Sequence, residues 1–341
     1  QSGLLDNVTI PTGFKFLNQD NMAENTAGIT GAGWIKNREN NDDGFLSDRV
    51  RGVYKCLIPN TTGAETTNTN VIQRFLQQGV QIGSYAETNA ADEGHVLWQW
   101  AANGTGSSNT DGDLASSVSV NSTAGFSVVS YTGHSASTAS TVGHGLGATA
   151  DLVIVKNRAA ADGWSIYHKD CGATEELRFT ATAASANSAI WNDVAPSTSA
   201  PWVFTVGTSH STNGPSEAMI AYAWKEIEGY SKFGTYEGNG NADGTFIYTG
   251  FRPSYLVVKN IDATGNWWCV DAARDPYNQM NDVLFLDSYS KEEIYAGIDF
   301  TANGFKLRSA STSLNGANTF VYIAFAENPF GGSDVAQAKA R

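Results

Sequence analysis

Apolar residues in this chain fall in short runs and not in long helical stripes. Residues 126–131 (Phe-Ser-Val-Val-Ser-Tyr) and 202–206 (Trp-Val-Phe-Thr-Val) are β-branched and aromatic and are bounded by Gly, Asn or Ser, the signature of strands. Similar runs recur about every 10 to 15 residues, a spacing that suits sandwiches and barrels. The unbroken run 152–155 (Leu-Val-Ile-Val) predicts a central strand covered on both faces, with Lys156 and Arg158 emerging where it leaves the core. A helix of one or two turns is predicted at 70–78 and at 290–297, each beside a Phe-x-x-x-Gly segment.

The pattern is spelled three times. Trp34-Ile35-Lys36-Asn37-Arg38 recurs as Ile154-Val155-Lys156-Asn157-Arg158 and as Val257-Val258-Lys259-Asn260. The lysines stand roughly a hundred residues apart, the size of a small β-sandwich and too long for a solenoid unit. Phe75 and Gly79 have counterparts in Phe300 and Gly304, with a looser match at 202–207, and each repeat closes on an aromatic strand around Trp98, Tyr222 and Phe325. Tyr131-Thr132-Gly133 and Tyr236-Glu237-Gly238 open the second and third repeats, whereas the first lacks this marker, so its first strand is divergent or partly missing.

The predicted fold class is therefore all-β: three tandem antiparallel β-sandwich modules of jelly-roll or lectin-like type, with one or two short helices. The expected boundaries are 1–101, 113–231 and 232–330, with a flexible linker at 102–112 (rich in Gly, Ser and Asn) and a tail at 331–341. Each module is expected to fold by itself, so that the three can be strung along an extended appendage. No linker separates the second and third, which predicts that those two pack together.

Composition narrows the function. A net charge of −13 repels phosphate backbones and anionic lipid headgroups, which argues against nucleic acid and membrane insertion. The chain begins at Gln1 without a basic-then-apolar leader or an 18-residue apolar run, as expected of a soluble protein missing its natural start. Cys56, Cys171 and Cys269 are far apart and odd in number, which predicts buried thiols and neither a disulfide framework nor a metal pair.

Candidate chemistry is sparse. Asp48 with Arg51, and Asp271 with Arg274, share a three-residue spacing after an apolar strand. Such a pair binds a carboxylate or a sugar hydroxyl, or closes a turn on itself. The middle repeat has His168 and Cys171 instead, which favours the turn. Trp164, Trp267 and Trp268 follow loops where an indole can stack on a sugar or a partner, and strand alternation puts one of Trp267 and Trp268 outside. Glu175-Glu176 point to opposite faces of a strand, the wrong arrangement for a glycosidase pair. The oxygen-rich segments 109–113 and 239–243 lack the distal Glu of a calcium loop, and His144 lies in a Gly-rich turn (Gly143-His144-Gly145-Leu146-Gly147) that matches no phosphate loop. No catalytic residue, metal or cofactor is expected.

Several longer segments resemble a known repeat. Trp-Ile-Lys-Asn-Arg, Thr-Val-Gly-His-Gly-Leu-Gly, Gly-Tyr-Ser-Lys-Phe-Gly-x-Tyr-x-Gly-Asn-Gly (229–240), Tyr-Thr-Gly-Phe-Arg-Pro (248–253) and Ala-Phe-Ala-Glu-Asn-Pro-Phe (324–330) look like a domain common in large virion proteins of marine tailed phages. The resemblance spans about 28–330 and implies a particle component of tail or fibre type, with no catalytic residue to carry over. With the repeats, it leads to the expectation of a homo-oligomer, a trimer among the possibilities, that meets other virion proteins and a host surface glycan on the virion exterior. A capsid decoration or head fibre, and a carbohydrate-binding adhesin, are the alternatives.

Overall fold

The computed structural model describes residues 30–76 and 79–326. Within them the chain is all-β, with 25 strands and four helical segments of four residues each. The divergent or partly missing first strand expected of the first repeat and the tail at 331–341 fall outside the described residues.

Each repeat contains the same antiparallel triplet. A central strand (Thr30–Asn37, Leu152–Asn157 or Pro253–Asn260) lies between a second strand (Phe45–Asp48, Ser165–His168 or Trp268–Asp271) and a closing strand (His95–Ala101, Ala218–Trp224 or Thr319–Ala326). The registers coincide, since Lys36 opposes Val96, Lys156 opposes Ile220 and Lys259 opposes Val321. In the second and third repeats a leading strand, Phe126–Thr132 or Ser231–Glu237, pairs with the other edge of the closing strand. With this strand and four more, the triplet belongs to an eight-stranded sheet in each of those repeats.

The Lys-Asn marker repeats because it ties down the loop after the central strand. Asn37 Oδ1 accepts the amides of Glu39 and Asn40, Asn157 Oδ1 those of Ala159 and Ala160, and Asn260 Oδ1 those of Asp262 and Ala263. This is one Asx turn made three times. The neighbouring ammonium donates to carbonyls in two of these loops: Lys36 Nζ to Asp42 O at 2.7 Å, and Lys156 Nζ to Ala160 O at 3.0 Å. Lys259 Nζ reaches Asn260 O at 2.7 Å. All three lysines are buried, and burial draws each down to about 8. Lys156 therefore does not emerge from the core as its sequence position suggested, because the carbonyls replace the water it would otherwise seek.

Strand alternation sends successive residues to two cores. Val153 and Val155 face a core private to the second repeat, together with Trp191 and Phe204, and Leu256, Val258 and Phe320 do the same in the third. Ile35, Phe45 and Ile72 form the first repeat's own core. The opposite faces meet in a single core: Trp34 and Trp98 from the first repeat, Ile154 and Tyr222 from the second, Val257 and Ile323 from the third. The repeats are thus not independent beads on an extended rod, since each leaves one apolar face for the other two to cover.

Three further expectations change. Residues 72–76 and 293–301 are strands and not helices, because each forms a hairpin through the Phe-x-x-x-Gly segment, with Leu76 opposite Gly79 and Thr301 opposite Gly304. The recurrent helical turns instead precede the closing strand, at Ala86–Asn89, His210–Asn213 and Thr312–Asn315. Residues 102–112 do not form a free linker: Ala102 is buried in the shared core, and Ser107–Asn109 pairs as an edge strand.

Candidate functional site

The acid–arginine pairs singled out in the sequence lie at the joints between repeats. The side chains of Asp48 and Arg51 are fully buried and ion-paired. Arg51 also donates to Leu46 O at 2.9 Å, to the Tyr222 hydroxyl oxygen at 3.1 Å and to Glu65 at 3.2 Å. Tyr222 comes from the second repeat, and its hydroxyl donates to Asp48 Oδ2 at 2.7 Å. Arg158, also from the second repeat, pairs with Glu65 at 2.8 Å. Burial opposes the Arg51 charge, but Asp48, with Tyr222 and Glu65, outweighs it and holds the guanidinium above its ordinary pKa.

The joint between the third and first repeats has the same parts. Arg274 pairs with Asp271 at 2.7 Å and Glu292 at 2.8 Å and donates to Cys269 O at 3.0 Å. Trp98 stands in the register of Tyr222, and its indole N–H donates to Asp271 Oδ2 at 3.0 Å. Arg38 pairs with Glu292 at 2.7 Å, as Arg158 does with Glu65.

The joint between the second and third repeats is built differently. Ile323 occupies the register of Trp98 and Tyr222 and has no polar tip. Opposite it, His168 Nε2 lies 3.3 Å from Tyr322 O, and Cys171 replaces the arginine. Ile261 and Ala184 take the places of Arg158 and Glu65, and only the backbone bond from Ala184 N to Ile261 O, 2.9 Å, survives. Its counterparts are Glu65 N to Arg158 O and Glu292 N to Arg38 O. The three joints close a ring of approximate threefold symmetry. Two are ionic and one is apolar, an exchange that buried ion networks tolerate when every member is replaced together.

The tryptophans are structural as well. Trp164 and Trp267 are buried, and their indoles donate across joints, to Ile58 O at 3.4 Å and Arg178 O at 2.7 Å. In the first repeat the equivalent position is Gly44, and a Cβ there would meet Trp34 Nε1 at 2.6 Å, so Trp34 fills that place from the next strand. All three indoles surround Phe179, with ring centroids at 5.6, 5.8 and 5.4 Å from those of Trp34, Trp164 and Trp267. The shared core also encloses an apolar cavity of about 40 Å³ lined by residues of all three repeats. The expectation that one of Trp267 and Trp268 lies outside is corrected. The two do point to opposite faces, but both faces are covered, and Trp268 is only 6% exposed.

One chemical grouping was invisible to sequence spacing. His210 bridges two carboxylates, with Nδ1 at 2.6 Å from Asp162 and Nε2 at 3.0 Å from Glu217. Asn157 Nδ2 donates to both acids, at 3.0 and 2.6 Å. Asp162 holds the His210 pKa above its usual value, helped by Glu217. Among the described residues these are the ones whose ligand atoms lie close enough together to hold a metal ion. In the first repeat Asn37 likewise donates to Asp42 and Glu93, without a histidine. The segments 109–113 and 239–243 are Asx turns: Asn109 Oδ1 accepts Asp111 N, and Asn239 Oδ1 accepts Asn241 N.

Acid is expected to loosen the ring through its two buried histidines. Burial pushes His144 and His168 down to about 4, so the folded state stays neutral where the unfolded chain takes up protons. Their contribution is fully present above the unfolded value of 6.5 and is lost as pH falls from there towards 4, on the order of 3 kcal/mol for each. Urea unfolding of the wild type and of His168→Gln across that range checks this. The variant should show a flatter loss, and parallel curves would rule out His168 as a contributor.

These joints and the core they enclose define a three-repeat all-β ring. A family model described as "Domain of unknown function (DUF7483)" matches residues 19–329, and the chain belongs to that family. One model running through all three repeats agrees with a core that all three share. No curated protein and no solved structure matches the chain.

Proposed function

We propose that the chain is a non-enzymatic structural protein of a phage particle, a tail fibre or tail appendage subunit carried on the virion surface. The observation behind this reading is the ring of joints. Asp48, Arg51, Asp271 and Arg274, the residues best suited to chemistry, spend their hydrogen bonds on holding the repeats together. The location rests on the resemblance of the marker segments to repeats of marine phage virion proteins. We read each repeat as a sandwich-type unit turned inward. In support, the two-stranded sheet of Ser140–Gly143 and Val203–Val206 contributes Val142, Phe204 and Val206 to the core on the outer face of the second repeat's larger sheet.

The ring supplies three interfaces within one chain, so a threefold body does not require the homo-oligomer, a trimer among its possible forms, expected from the sequence. Its partners on this reading are other virion proteins. The same approximate symmetry suits a threefold position on a shell, which favours capsid decoration or a head fibre as the second reading.

Gold-labelled antibody against the chain, applied to intact particles of a phage that encodes it, separates these readings. Label along the tail is the expected result, label on the capsid selects the second reading, and unlabelled particles would overturn both.

A further inference from the structure

One outward-facing position is filled in the first two repeats and open in the third. In the first, Tyr85 packs edge-on against Phe45, with ring centroids 5.4 Å apart. In the second, Ser165 takes the register of Phe45, and the space holds the buried carboxylate of Glu176. That carboxylate accepts from Ser165 at 3.0 Å, Arg178 at 3.0 Å and Asn187 at 2.9 Å. In the third, Trp268 takes the same register, and Ser311 stands where Tyr85 stands, just before the short helix that leads to the closing strand.

Ser311 brings no ring to this space and no buried acid fills it, and although Tyr295 packs on Trp268 from another strand, a pocket of about 250 Å³ remains. Trp268, Phe285 and Tyr295 contact one another at 5.2–6.0 Å beneath it; the first two are buried, and Tyr295, 40% exposed, is the ring that faces the space. Asn266, Ser311, Ser313 and Glu293 line the rest. Among the described residues, the side chains of Asn266, Ser311 and Ser313 make no hydrogen bond. Glu293 accepts the Tyr295 hydroxyl at 2.5 Å, which fixes the ring and leaves lone pairs of the carboxylate facing the pocket.

We propose that this pocket binds one pyranose ring of a saccharide. A sugar ring presents an apolar C–H face and a rim of hydroxyls, which matches the Tyr295 ring and a hydroxyl, amide and carboxylate wall. The volume holds a single ring. Glu293 and the net charge of −13 disfavour acidic sugars, so the ligand is a neutral or amino sugar. This site goes beyond the particle assignment and does not depend on it.

The test uses the full chain on a printed glycan array, followed by saturation-transfer NMR with glucose, galactose and their N-acetylamino forms at millimolar concentration. Binding to a neutral or amino sugar is expected. Ser311→Tyr, which imports the stopper of the first repeat, should weaken it about tenfold or more, as should Tyr295→Ala. Thermal unfolding reports whether each variant is folded. Should Ser311→Tyr not fold, the exposed Tyr295 still provides the test. Absence of any neutral or amino sugar among the bound glycans, or binding that ignores both substitutions, overturns the proposal and leaves the particle assignment to its own labelling experiment.

Discussion

Phe179→Ala is expected to lower the unfolding free energy by about 3–5 kcal/mol, a large share of what a protein of this kind possesses. The ring is the one aromatic group placed against an indole from each repeat, Trp34, Trp164 and Trp267. Removing it forfeits three edge-to-face contacts of about 0.5–1.5 kcal/mol each. It also enlarges a shared core that already encloses about 40 Å³ of empty space, and packed surroundings collapse only partly into such voids. Guanidinium titration followed by tryptophan fluorescence checks this directly, because the three reporters sit around the deleted ring. A loss below about 1 kcal/mol would mean that the joints alone hold the repeats in place.

Asp48→Ala should be comparably damaging, for an electrostatic reason. It leaves the Arg51 guanidinium fully buried with only Glu65 to offset it and deprives Tyr222 of its acceptor. Breaking one side of a buried pair costs about 3–5 kcal/mol. The apolar joint supplies the complementary experiment. Asp48→His, Arg51→Cys, Glu65→Ala, Arg158→Ile and Tyr222→Ile together copy the residues found where the second repeat meets the third. That fivefold variant should recover to within about 2 kcal/mol of the wild type, since no charge is left stranded. A fivefold variant less stable than Asp48→Ala would show that the two kinds of joint are not interchangeable.

Much of the fold was legible because it is written in local pattern. The run 152–155 announced a strand covered on both faces, and the Lys-Asn pairs marked one turn three times over. What sequence could not convey was which repeat covers which face. Trp267 and Trp268 alternate as expected, but a strand pattern cannot distinguish an indole facing solvent from one donating to Arg178 O in the preceding repeat. For the same reason the Asp-Arg pairs read as self-contained turns. Each is indeed a turn, with Asp48 Oδ1 accepting Arg51 N, but the second carboxylate oxygen, besides pairing with the arginine three positions on, accepts from a side chain more than a hundred positions away. The helix expected at 70–78 failed because Ile72–Leu76 pairs with Gly79–Ile82 in a local hairpin that outweighs weak helical propensity, and the pocket over Trp268 emerged only by comparing what fills the same position in the other two repeats.

Ring closure sets a timetable for biosynthesis. Arg38 meets Glu292 across 254 positions, so the first repeat has no mate for one of its flanks until the third repeat has been synthesised. At roughly 5–20 residues per second that wait lasts about 10 to 50 seconds, during which Trp98, whose partners Tyr255, Asp271 and Arg274 belong to the third repeat, stands uncovered and open to chaperones or to neighbouring nascent chains.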